Sequence, residues 1–321
     1  MAHLVLVLTL VTWSFSFMAA ARLRQDLGLT DALAARFVPV LVGASLLLAW
    51  RWPPRLPRGA WLRVGAMSLI GVPGYHLFFL HGLKTVPTGT ASLIVALNPV
   101  FTAVLARLFL GESFDARRLT GLVLSLAGVF VVIRYGTDDV LDWPYLSSAL
   151  VLALSPLCWA VYTVIGRSVP PGADPFDTTW AVLLLGSLPA VLFARPAAAH
   201  VLVASPGALG ATLYLAVPCT LVAYAAWIWA LKRVSAGEAA AFVFLNPPLA
   251  NLWAWLLEGK ALRPPFLAGA AVLLLGVATI VLPATRRRRP PGSSTGALPP
   301  TPPPREHAEP PAGAGSSGST A

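Results

Sequence analysis

The chain has 321 residues, of which 57% are hydrophobic and 11% charged, and its mean hydropathy is +0.73. Soluble domains carry about a quarter charged residues, so this composition excludes a water-soluble globular protein. The net charge of +10 would suggest nucleic acid in a soluble chain, but here the basic residues cluster in short connections and after the last apolar segment, which is a pattern of membrane topology and implies no nucleic-acid partner.

At about 20 apolar residues per crossing, ten helices are predicted in chain order, near residues 4–20, 33–50, 62–83, 87–110, 116–133, 145–165, 176–194, 208–231, 235–258 and 265–284. The first ends on Met18-Ala19-Ala20-Ala21, which resembles a signal-peptide cleavage site, yet no Lys or Arg precedes its apolar run and nine more spans follow. Segments such as 119–133 and 266–282 are almost continuously apolar, without the alternation of a barrel strand. Helices satisfy their own backbone in lipid, so the expected fold is an all-α membrane protein.

Short connections make neighbouring helices antiparallel, and with ten spans both ends share a side. The connections on that side hold 15 Lys and Arg, among them Arg51, Arg55, Arg58, Arg107, Arg117, Arg118, Lys232 and Arg286 to Arg289. The opposite set holds eight: Arg22, Arg24, Arg36, Lys84, Arg134, Arg195, Lys260 and Arg263. The positive-inside tendency therefore predicts cytoplasmic termini in a cell (plasma or inner) membrane. The Arg286 to Arg289 run reads as a stop signal drawn to anionic lipid, and the Pro-, Gly- and Ser-rich residues 290–321 as a disordered tail.

Laying residues 83–132 over 231–280 gives 17 identities in 50 positions without a gap. They include Lys84 with Lys232, Gly89 with Gly237, Asn98-Pro99 with Asn246-Pro247, Gly111 with Gly259, Gly121 with Gly269 and Gly128 with Gly276. Upstream, Trp13-Ser14 falls near the place of Trp159-Ala160. Each copy then holds five helices, 1–138 and 139–285, with 286–321 as the tail. Because five is odd, the second copy enters the membrane from the opposite side, giving two inverted five-helix repeats. Secondary transporters use such pairs, with the site near the midplane between the copies.

The run Ala91 to Ala103 (ASLIVALNPVFTA) followed by Leu110-Gly111-Glu112, the second-copy run Ala230 to Ala240 leading into Asn246-Pro247, and Trp13-Ser14 with Arg36-Phe37 together resemble the drug/metabolite transporter superfamily, specifically its EamA-type members. The likeness covers residues 4–284. It departs from the family after the ninth helix, where Glu258-Gly259-Lys260 stands in place of a second Gly-Glu. The resemblance implies a ten-helix carrier with a central cavity lined mainly by helices 1, 3, 4, 6, 8 and 9, often an exporter of amino acids or other metabolites.

Pro99 and Pro247 lie mid-helix, where each removes a donor, frees the carbonyl four residues earlier and is expected to kink its helix. Asn98 and Asn246, beside those kinks, are candidate ligands for substrate or for the freed carbonyls, the alternative being plain helix packing. His76, beside Tyr75 in the third helix, is the most unusual titratable group inside a span and a candidate for proton coupling; a neutral histidine bonded to a neighbour is the competing reading. Trp13, Trp159, Tyr162, Tyr224 and Trp227 can stack on a flat or cationic solute or anchor at the interface. Glu238, at the entrance of the ninth helix, suits capping.

No paired aspartates or His-rich metal set lies within the spans, a pairing of His76 with Ser68 or Ser92 has no motif behind it, and no Walker loop is present, so neither an enzyme nor a cofactor or metal is expected. Cys158 and Cys219 give neither a disulfide framework nor a metal site. Transport of a small solute across the bilayer is the favoured function, probed against a receptor or scaffold and, last, an intramembrane enzyme. The scarcity of charge in the spans favours a neutral or zwitterionic solute; direction, coupling and oligomeric state stay open.

Overall fold

The computed structural model describes every residue except 87, 114, 136–145, 196–198, 201, 202, 204, 260, 262 and 283–321. The expectations for the basic run and the tail, and for Lys260, fall outside those residues. The ten helices are α1 (Ala2–Asp26), α2 (Leu29–Trp50), α3 (Arg58–Gly82), α4 in two pieces (Thr88–Val95 and Asn98–Leu110), α5 (Ala116–Tyr135), α6 (Leu146–Ser168), α7 (Pro175–Phe193), α8 (Pro206–Leu231), α9 (Ala236–Glu258) and α10 (Pro264–Val281). Eight of them are single helices long and apolar enough to cross a membrane. Their outward faces carry Leu8, Leu46, Leu62, Phe109, Leu150 and Leu275, all exposed as a lipid solvent requires.

The two halves run in opposite directions. The tip of α4 meets the start of α9, where the Glu112 carboxylate accepts from the Ala236 and Gly237 amides at 2.7 and 3.2 Å. Along the α5–α10 seam, Gly121 faces Gly276 and Gly128 faces Gly269, so residue number rises on one helix as it falls on the other. That seam is backbone on backbone: a β-carbon on Gly128 would lie 2.6 Å from the Gly269 carbonyl oxygen, and one on Gly276 2.7 Å from that of Gly121. Small residues allow such an approach, which replaces the hydrophobic driving force that is lacking between helices in lipid.

The proline expectations are met by breaks rather than bends. In α4 the α-helix stops after Val95, turns through Ala96 and Leu97, and restarts at Asn98 with Pro99 in its first turn. In α9, Phe242–Leu245 tighten to a 3-10 turn before Asn246. A proline in the first turn of a helix gives up a donor that has no intrahelical acceptor anyway, which makes a restart less costly than a strained continuous helix. Both helices end on a left-handed glycine, Gly111 at φ 65° and Gly259 at φ 67°, so the Glu258-Gly259 departure leaves the cap intact.

Two further interruptions carry no counterpart in the sequence-based expectations. α3 contains a π turn at Ile70–Gly74 around Pro73, and α8 one at Val217–Val222 around Pro218. The amides of Tyr75 and Ala223 reach back five residues, to Ile70 and Pro218. In α6, by contrast, the carbonyl that Pro156 strands, on Leu152, is taken by the Ser155 hydroxyl at 2.8 Å, and the helix runs on.

On the face that carries the amino terminus, polar contacts tie the two halves together. His3 meets Glu238 at 2.6 Å, and within the first half Arg118 lies 3.6 Å from Glu112, the carboxylate that crosses to α9. Glu238 also heads a turn capped by the Ser235 hydroxyl, 3.1 Å from its amide. Asp177, buried in the first turn of α7, bonds the Arg51 side chain and accepts from the Arg55 amide at 2.9 Å. That bond holds the Arg51 guanidinium above its ordinary pKa.

Candidate functional site

Between the halves lies a small cavity of about 40 Å³, room for a water or two as it stands. Its walls come from α1 (Trp13, Ser16, Phe17), α3 (Tyr75, His76, Phe79), α4 (Val95, Asn98), α6 (Pro156, Trp159), α8 (Tyr224) and α9 (Val243, Asn246). These are the six helices that the family resemblance implied. A seventh, α2, contributes Arg36.

The π turns place the aromatic wall. Trp13 Nε1 donates to the Cys219 carbonyl inside the α8 turn at 2.9 Å, and the Tyr224 hydroxyl donates to the Gly71 carbonyl inside the α3 turn at 3.1 Å. Each turn thus offers a carbonyl to a ring from elsewhere in the cavity, and each ring is fixed in direction by that bond. Gly71 must also stay small, since a β-carbon there would lie 2.7 Å from Cγ of Tyr162.

The rings come in repeat-related pairs. Trp13 and Trp159 meet edge to face, with centroids 5.0 Å apart at 88°. His76 and Tyr224, 148 positions apart in sequence, stack at 6.4 Å and 24°. Tyr75 joins Trp159 at 5.6 Å and His76 at 4.8 Å. Such contacts are each worth about 0.5–1.5 kcal/mol, and together they make a wall of quadrupoles at fixed angles. Tyr162 and Trp227 pack behind it, 4.7 and 5.8 Å from Trp159; both are fully buried and neither lines the cavity.

The asparagines differ. Asn98 Nδ2 donates to the Pro156 carbonyl at 3.0 Å and its Oδ1 receives the Thr102 hydroxyl at 3.4 Å, clamping α4 to α6. Its amide nitrogen goes to α6 and not to the Val95 carbonyl of its own helix. Asn246, equally buried at 3% exposure, has an Oδ1 with no partner. His76 Nδ1 pairs with the Val72 carbonyl at 2.8 Å. A carbonyl only accepts, so Nδ1 carries the proton in that bond and Nε2 remains for another partner.

Arg36 requires a correction. The tally of connection cations includes it although it lies three residues inside the predicted span 33–50; α2 begins at Leu29 and puts Arg36 two turns inside, with 3% exposure. The signal was present: an arginine within an otherwise apolar run from Ala32 to Leu48. Its Nε and Nη2 donate to Thr220 Oγ1 at 3.3 and 3.0 Å, and that hydroxyl donates in turn to the Leu215 carbonyl at 2.7 Å. The flanking prolines of the two π turns were likewise visible in the sequence and went unused. Cys158 and Cys219 are free thiols, and among the described residues no group of three or more His, Cys, Asp or Glu is placed to hold a metal.

A model of the EamA-like transporter family matches residues 1–134 and 146–282. An uncharacterized transporter of Archaeoglobus fulgidus is 30% identical over 258 residues, covering 79% of this chain and 88% of that protein. A probable terminal-alkyne amino-acid exporter of Streptantibioticus cattleyicolor is 29% identical over 282 residues, covering 86% and 91% respectively. A solved crystal structure superposes with TM-score 0.68 at 20% identity, covering 87% of this chain and 95% of its own; at that identity the likeness is one of fold.

Proposed function

The chain belongs to the EamA-like transporter family of the drug/metabolite transporter superfamily, and from that premise we propose that it is a secondary transporter that exports a small metabolite, amino acid or drug-like solute from the cell by alternating access. The observation that carries this reading is the cavity itself, which draws its walls from both inverted repeats, as expected of a site that faces each compartment in turn. The exporter direction is supported by the name of the Streptantibioticus cattleyicolor relative. Cytoplasmic termini follow from the distribution of Lys and Arg. The aromatic wall would hold the solute's apolar body, with Asn246 Oδ1 as a polar anchor, and the halves rock about the α5–α10 seam.

Flux of labelled solute through liposomes containing the purified chain tests the proposal: a carrier moves label, whereas a receptor or scaffold binds it without flux. Asn246→Ala should slow that flux while insertion and folding stay intact. Proton coupling through His76 is tested in the same vesicles, where His76→Gln should abolish the response to a pH gradient and leave downhill exchange. A response unchanged in the variant removes His76 from the coupling path.

A further inference from the structure

Arg36 is a cation without an anion. Among the described residues no carboxylate lies within ion-pair distance of it, although it is buried and lines the cavity. Among the described residues its hydrogen-bond partner is the Thr220 hydroxyl, which engages Nε and Nη2 and leaves Nη1 to the cavity. Arg51 is met by the buried Asp177, whereas Arg36, beyond that hydroxyl and the Phe37 ring 5.6 Å from its Cζ, has no described group to offset the desolvation that opposes folding. Arg36 also breaks the repeat: the corresponding stretch of α7, Val182 to Leu185, is wholly apolar. Asn98 with Asn246 and His76 with Tyr224 are repeat-related pairs in the cavity wall, whereas this charge has no mate.

We propose that Arg36 is the anion-recognition residue of the transport site, and that the solute presents a carboxylate to it while an apolar or flat body lies against Trp13, Tyr75, Trp159 and Tyr224. This rests on the carrier reading above and narrows its substrate class. The guanidinium fork matches a carboxylate in geometry and charge, and Thr220 fixes the orientation of the fork. A monoanionic carboxylate brings the charge of the site to balance. A zwitterion keeps the same anchor, and its ammonium can meet Asn246 Oδ1 or a ring face. A purely cationic solute meets repulsion from Arg36, so cationic drugs are excluded.

The test is binding to the purified full chain, read by quenching of tryptophan fluorescence, with four probes that share one phenyl body: phenylacetate, phenylalanine, phenylacetamide and phenethylamine. Phenylacetate, phenylalanine or both should bind, and their relative affinity tells monocarboxylate from zwitterion. The neutral amide should bind at least tenfold more weakly than the better of these, and the amine not at all. In Arg36→Gln the carboxylate affinity should fall at least tenfold, with partial recovery in Arg36→Lys. The thermal midpoint of the ligand-free Arg36→Gln protein should hold or rise, because an uncompensated buried charge has gone; a large fall marks Arg36 as a structural residue and overturns the proposal. Amine bound as tightly as carboxylate, or carboxylate binding indifferent to Arg36→Gln, also overturns it. Arg36-dependent binding without flux in liposomes would sink the carrier reading and leave the anion site standing.

Discussion

Replacing Glu112 by Gln should loosen the face of the molecule that bears the amino terminus. The carboxylate of Glu112 reaches from the first half to the first-turn amides of α9 in the second, accepting from Ala236 at 2.7 Å and Gly237 at 3.2 Å. Any opening between α4 and α9 on this face breaks both bonds. Hydrogen bonds to a charged partner contribute about 1.5–3 kcal/mol, and Gln keeps one neutral acceptor while losing the charge that a helix N-terminus favours. A loss of about 1.5–3 kcal/mol makes opening on this face about 10- to 100-fold more frequent at 1.4 kcal/mol per decade. The assay is labelling of a single cysteine in the cavity wall, Ser16→Cys in a Cys158→Ala, Cys219→Ala background, with a membrane-impermeant thiol reagent applied from that face. Arg118→Gln serves as the control, since it removes the 3.6 Å ion pair and a bond to the Ser113 carbonyl within the first half but leaves both amide bonds. An unchanged labelling rate in Glu112→Gln, at an unchanged thermal midpoint, would refute the claim that these bonds hold the face shut.

Gly128→Val should destabilise the chain by about 1–3 kcal/mol, the usual cost of overpacking, because its β-carbon meets the Gly269 carbonyl at 2.6 Å; thermal unfolding in detergent measures it, and an unchanged midpoint means the seam has slack. Arg51→Met leaves the buried Asp177 carboxylate with the Arg55 amide and no counter-charge and should cost about 3 kcal/mol, less as far as solvent screens an arginine that is partly exposed. Most of that loss should return when Asp177→Asn is added, and a double variant no better than the single would contradict the pairing. Tyr224→Phe withdraws the donor to the Gly71 carbonyl, with an expected loss of about 0.6–1.5 kcal/mol and slower flux in liposomes; flux at the normal rate would show that the ring needs no such tether.

The number of helices and the opposed halves were legible because both leave one-dimensional traces: apolar length for the spans, and a 148-residue echo of punctuating residues for the repeat. Trp13 and Trp159 were recognisable for the same reason, as positions that echo each other. What escaped depended on depth and on backbone winding. Arg36 stands only three residues into the predicted span 33–50, near the headgroups, until the start of α2 is known to be Leu29, since a shift of a few residues in a helix end decides whether an arginine meets lipid headgroups or a cavity. Tyr162 and Trp227 could not be told from lining residues, because which aromatic faces the cavity and which stands behind depends on rotation about the helix axis. Asn98 and Asn246 look identical in sequence, and only the partner across from each, Pro156 for one and none for the Oδ1 of the other, separates clamp from free acceptor.

The paired π turns have a consequence for how such a cavity can change. Each fits one additional residue into the winding, and one residue is worth about 100° of rotation and 1.5 Å of rise. Deleting a single residue from Ile70–Gly74 would let α3 close into an ordinary α-helix with Tyr75 and His76 still on the same face, and would withdraw the Gly71 carbonyl that holds the Tyr224 hydroxyl. A change of one in the winding, with no new chemistry, thus frees a cavity ring from its tether on an unaltered ten-helix frame.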